Sequence, residues 1–566
     1  MLSTCLLSLP LLVVPQGLPT TGEPAAQERA REVLFVHGGR IHLGNDSGGV
    51  VEALLIEDGR VVATGREQTL RLRLPEEGYG QIDLRGAVAV PGLQDAHVSL
   101  EGLGRRLEWL DLSDASGPEE VVERVRAAVE VAPKGGWILG AGWDEQGWAL
   151  RELPHHAALS EVTPDHPVFL ERAGGHGAWV NLAALELAGL DGSLELAPRI
   201  PGGRVLVDGE HLATGVLLGP AVELVRAHLP QPERGDLERW ILAAQELLLA
   251  EGVTCVHEMG LDPERVELYE DLLAVGKLAL RVVGYLDGNA GLSEADLETY
   301  PRRFDDRDAL TVLGVFFRLD GDLATRGAAL LADYDDAPGE RGELWLSEER
   351  LTLLVHEAWQ AGLQPAIAAV GDRANRVAID TYDRMIDVDE GFRRLRPRIE
   401  QAQVISTADL PRFPGLDIVP SMQPVHWALG DAWLVDRLGQ RRSRDAFGWR
   451  SLAPGLSHLA FGSGSPRGPS APLLGIHAAR TRRDAQRMAS DDLIGAERLD
   501  GLGVLAGFTR SAAHAVHQED RRGQLSPGYW ADLTVLDVDP VEAEADSLRD
   551  GRVLLTVIGG RVVYGG

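Results

Sequence analysis

Between residues 33 and 90 apolar and polar positions alternate with a period of two, as in "VLFVHGGRIHL" and "VEALLIEDGRVVATG". That period buries one face of each run, and Asp58-Gly59 between two runs supplies a hairpin turn, so the stretch predicts a small sheet. The same texture returns only at the far end, in "GYWADLTVLDVD" and "RVLLTVIGGRVVYGG", where Gly559-Gly560 separates two β-branched runs. Residues 27–90 and 500–566 are therefore predicted to form one composite β-sandwich domain. The middle of the chain reads differently. Short apolar runs that end in polar residues, among them "VAVPGLQDAH", "LGVFFRLDGD" and "QPAIAAVGD", alternate with helical stretches such as "EERLTLLVHEAWQAGLQ". This is the α/β pattern of a TIM-like (β/α)8 barrel, predicted over 91–499. The stretch from about 105 to 250 is too long for one connection and is predicted to be an inserted subdomain over the barrel mouth, where ligands enter.

Composition narrows this picture without changing it. Apolar residues at 44% and charged residues at 25% suit a chain with a large core. The 55 basic and 86 acidic residues give a net charge of −31, which disfavours nucleic acid as a partner. Cys255 stands alone outside the leading segment that holds Cys5, so no intrachain disulfide is expected in a processed chain. Residues 1–26 carry an apolar run from Leu6 to Val14 followed by small and polar residues, and read as a possible signal segment. Export to a periplasmic or extracellular location is the expectation, with the cytoplasm as the alternative. No other uninterrupted apolar run reaches the ~18 residues of a transmembrane helix, so none is expected.

Candidate chemistry centres on "PGLQDAHVSL", where Asp95 and His97 lie two apart and share one side of a strand. Together with "GWDEQGW", "GHGAWVNLAALELAGL", "GVTCVHEMG", "LDGDLATRGAALL", "GDRANR", "SMQPVH" and "LSPGYWADLTVLDVDP", it makes nearly the whole chain resemble the metal-dependent amidohydrolase superfamily. The branch is amidohydrolase family 3, of N-substituted formamide deformylase-like proteins. The resemblance implies hydrolysis of non-peptide carbon-nitrogen bonds by a metal-bound hydroxide. It also implies six ligand positions at strand ends: a His-x-His pair, a carboxylated lysine, two later histidines and an aspartate. Here His97 keeps the first. Ser99, Phe316, Ala368, Gln401 and Gly464 stand at the other five. Phe, Ala and Gly offer no donor, Ser and Gln are poor transition-metal ligands, and one histidine cannot hold such an ion. No metal cofactor is expected; the alternative is zinc or another divalent metal in a relocated site, for instance one built from His97, His176, His257 and His426.

Asp95 and His97 are then either a vestigial acid/base pair or polar groups held by hydrogen bonds. Pocket candidates are His176, His257, Glu258, Asp320, Arg326, Asp372, Gln401 and His426, although Asp320, Arg326, Asp372 and Arg373 also suit loop bracing. Trp143, Trp148 and Trp179 suit either a ligand clamp or the core of the insertion. Three functions follow: a non-catalytic homologue binding a small molecule or partner protein, a carbon-nitrogen hydrolase with a non-standard or metal-free site, and a structural subunit, with a homodimer possible.

Overall fold

The computed structural model describes residues 32–191, 194, 200–452, 458–483 and 497–565. The possible signal segment lies outside the described residues. The alternating runs at the chain ends form two sheets. Val33–His37, Ala53–Glu57, Arg60–Gly65 and Tyr79–Asp83 make a four-stranded sheet. Arg40–His42, Val50–Val51 and Val88–Pro91 join Leu533–Leu536, Val553–Ile558 and Arg561–Gly565 in a six-stranded one. Val36, Leu54, Ile56 and Val61 from the first sheet and Ile41, Leu533, Val535 and Val557 from the second share one core. The hairpin turn at Asp58-Gly59 has both residues left-handed, φ 49° and 80°, as the tight two-residue turn requires.

Eight parallel strands follow one another around the barrel in chain order: β1 (Leu93–Val98), β2 (Val253–Leu261), β3 (Arg281–Asp287), β4 (Leu310–Arg318), β5 (Gln364–Ala369), β6 (Arg398–Gln401), β7 (Val419–Met422) and β8 (Ala460–Phe461). Just past β8, Gly464 N donates to His97 O at 2.8 Å and links the last strand back to the first. The fold is the α/β barrel expected from the pattern. Strands buried on both faces carry continuous apolar runs rather than alternation, and β5 and β7 have no exposed residue.

Between β1 and β2 a mixed six-stranded sheet is inserted, spanning Leu110–Asp111 to Ala213–Leu218. Trp143, Trp148 and Trp179 lie in its core, with Trp143 Nε1 donating to Leu170 O at 2.8 Å and Trp148 Nε1 to Ala115 O at 3.1 Å. They pack this sheet. Among the described residues no helix is long and apolar enough to cross a membrane.

Candidate functional site

The six positions that would ligate a metal converge on the C-terminal end of the barrel, and each now does something else. Ser99 caps the helix α1 (Leu100–Glu108), its Oγ accepting from Gly102 N at 3.2 Å. Phe316 on β4 is 4% exposed and sets its ring edge-on to His97, centroids 5.4 Å apart. Ala368 packs in the apolar barrel interior with Cys255, Val283, Tyr285 and Phe316. Gln401 ends β6 with φ 70°. Gly464 has φ 71°, and a Cβ there would fall 2.8 Å from His426 Cε1 and Nε2. The space an aspartate would need is held by an imidazole. The donor set does not fit a transition metal, which takes four ligands in a closed site or three and a water in an open one. Among the described residues no three His, Cys, Asp or Glu side chains could hold an ion together.

His97 instead places Nδ1 2.8 Å from Glu400 Oε2. Glu400, fully buried, also meets Arg398 Nε at 2.8 Å. Burial pushes its carboxyl up, but Arg398 and His97 outweigh that and hold it below the usual carboxylate range. The Arg398 guanidinium spans the barrel interior, with Nη1 3.1 Å from His257 Nδ1 and 2.8 Å from Tyr285 Oη, and Nη2 2.9 Å from Ala96 O and 3.1 Å from Ser421 Oγ. A charged polar plug thus runs through the barrel interior.

The other predicted residues separate cleanly. Asp95 accepts from His97 N at 3.0 Å and Ser463 N at 2.8 Å, and burial pushes its carboxyl up to about 6. Glu258 accepts Leu100 N at 2.8 Å and anchors the start of α1. Asp320 accepts from Ala329 N, Val370 N and Gly371 N at 2.8, 2.9 and 2.9 Å. Asp372 accepts Leu331 N at 2.8 Å, and Arg326 pairs with Asp336 at 2.8 Å. These groups brace loops. His257 is enclosed with Arg398 in the interior.

Gln401 also lines, with His176 and His426, a cavity of about 130 Å³ between the insertion and the barrel loops. Its remaining polar lining includes Asp144, Arg172, Asp322, Gln403 and Arg467. Burial, reinforced by Arg467, pushes both histidines down to about 3, so both are neutral at pH 7. His97 and Phe316 are not part of the lining. Arg467 escaped the sequence reading although it follows Gly464 by only three residues. Departure from the motif at Gly464 was the available signal for looking there.

The amidohydrolase family profile matches residues 81–564, and the chain belongs to the amidohydrolase family. It is 31% identical over 545 residues to Protein LONG AFTER FAR-RED 3 of Arabidopsis thaliana, covering 94% of this chain and 91% of that protein. It is 26% identical over 529 residues to N-substituted formamide deformylase of Arthrobacter pascens, covering 91% and 95%. Among solved structures, a metal-dependent hydrolase from Pyrococcus horikoshii OT3 superposes with a TM-score of 0.73 at 28% identity, covering 91% of this chain and 99% of that one.

Proposed function

We propose that this protein is a non-catalytic member of the amidohydrolase family that has given up its metal centre and uses the cavity above the barrel as a binding site for a small molecule. The observation that carries the reading is steric as well as chemical. Gly464 leaves no room for a carboxylate beside His426, and Phe316 fills the place of the bridging lysine, so the lost donors are matched by lost space. A hydrolase without a metal would forfeit both the activated water and the polarised carbonyl, terms worth several kcal/mol of barrier. The His97–Glu400 pair is an acid/base couple beside these positions, and neither residue lines the cavity.

Metal content, measured by elemental mass spectrometry on protein purified without chelator or nickel affinity, tests this reading. Less than about 0.1 equivalent is expected, with or without added zinc. Stoichiometric metal that disappears in His97→Ala would overturn it and make assays on formamide and other carbon-nitrogen substrates the next step.

A further inference from the structure

The cavity contains two opposite charges that attract each other without a direct hydrogen bond or ion pair between them. Arg172 is neutralised by Asp144 at 2.8 Å and Glu145 at 2.7 Å. Nearby Arg318 is held by Asp287 at 2.5 Å, and Arg226 by Glu171 and Glu223 at 2.9 Å each. Arg467, by contrast, donates no side-chain hydrogen bond and forms no ion pair among the described residues, although burial and then Arg318 push its guanidinium down to about 10. Its backbone is clamped: Arg467 N donates to Gly464 O at 3.1 Å, and Arg106 Nη1 donates to Pro466 O at 2.8 Å. Asp322 is the counterpart. Its Oδ1 accepts Thr325 N at 2.8 Å, while Oδ2 accepts nothing among the described residues.

Two adjacent glycines set the spacing of these charges. A Cβ on Gly174 would lie 3.4 Å from Asp322 Oδ2, and one on Gly175 would lie 3.6 Å from Arg467 Nε. Glu171 Oε1 is also 3.6 Å from the Gly175 position. Consecutive Cα atoms are ~3.8 Å apart, so Asp322 and Arg467 face neighbouring backbone positions rather than opposite ends of a long groove. A third open group joins them: His176 is 6% exposed, lines the cavity, and its ring makes no hydrogen bond among the described residues. At ~10–15 Å³ per water the space admits roughly ten waters, or a ligand of about as many heavy atoms.

We infer that this cavity binds a free α-amino acid, with Arg467 receiving its carboxylate and Asp322 its ammonium group. The lining arginines Arg172 and Arg467 balance Asp144 and Asp322, so a zwitterion satisfies both free charges without adding net charge to a desolvated site. Arg467 is half-buried and attracted by Asp322 and Glu171 but hydrogen-bonds neither among the described residues, which leaves its N–H groups open to an anionic ligand. Access is compatible. An adjoining space of about 370 Å³ shares Arg172 and Ala324 with the cavity and is lined by Arg204, Arg326 and Arg437.

The inference rests on the reading of the barrel mouth as a binding cavity. It is tested on the full chain, after chelation, by a thermal-shift panel of the twenty amino acids followed by calorimetric titration of the strongest hit. That hit is compared with its N-acetyl and methyl-ester forms, with acetate and with inorganic phosphate. At least one amino acid should bind, and both blocked forms should bind at least about tenfold more weakly. Arg467→Gln should weaken the amino acid by at least about tenfold. Asp322→Asn should weaken the amino acid but leave acetate unaffected. Silence across the panel would overturn the inference, as would acetate or phosphate binding as tightly as the amino acid, or undiminished amino-acid binding by Arg467→Gln. The two readings fail separately. Retained metal alongside Arg467-dependent amino-acid binding would overturn the metal-free reading alone, and metal-free protein that ignores every amino acid would overturn this one alone.

Discussion

Gly464 has no room for a side chain. Its φ of 71° disfavours any side chain, and His426 stands 2.8 Å from where the Cβ would be. Gly464→Asp should therefore destabilise the fold by about 2–5 kcal/mol, combining left-handed strain of ~1–2 kcal/mol with overpacking of ~1–3 kcal/mol. Adding His426→Ala should recover the overpacking part and leave the strain, which a double-mutant cycle in guanidinium denaturation resolves. Additive losses would mean that His426 moves aside without cost. The departures of Ser99, Phe316, Ala368, Gln401 and Gly464 from the family pattern are legible in the sequence because each falls in a motif of fixed spacing. The contact between Gly464 and His426 is not, because His426 lies 38 positions from Gly464 and only the closed barrel brings them together.

At the level of elements, the barrel is tied from within by Arg398. Its guanidinium on β6 contacts β1 at Ala96, β2 at His257, β3 at Tyr285 and β7 at Ser421, and the neighbouring Glu400 extends the network to His97. Arg398→Met would leave Glu400 as a buried charge without a cation, and should cost about 3–5 kcal/mol of stability. Arg398→Met with Glu400→Gln should cost less than the two single changes added together, measured by denaturant titration. Strict additivity would mean that the pair does not act as a unit. The barrel itself was legible because runs such as "QPAIAAVGD" and "VTCVHEMG" combine apolar continuity with a polar end. The plug was hidden in "RIEQAQ", where a charged Arg-x-Glu reads as a solvated strand edge unless both faces of β6 are known to be buried.

Across the whole molecule, 86 acidic residues against 55 basic ones make carboxyl protonation the main lever of pH on stability. Glu251 favours the folded state in its protonated form. It follows the long helix Arg234–Ala250, its Oε2 is enclosed without a partner, and burial raises its carboxyl from the ordinary 4.5 to about 7 despite a hydrogen bond with Ser470. Asp95, itself at about 6, repels it further when ionised. Between these limits the folded protein holds a proton that the unfolded chain releases. The resulting stabilisation is complete below pH ~4.5 and is lost as pH rises through about 7. Glu251→Gln, which mimics the protonated form, should match the parent at pH 4 and exceed its stability at pH 8 by about 1–3 kcal/mol, one pKa unit being worth ~1.4 kcal/mol. Denaturant titrations of the two proteins at both pH values measure that difference directly, and equal stabilities at pH 8 would mean that Glu251 ionises at no cost to the fold.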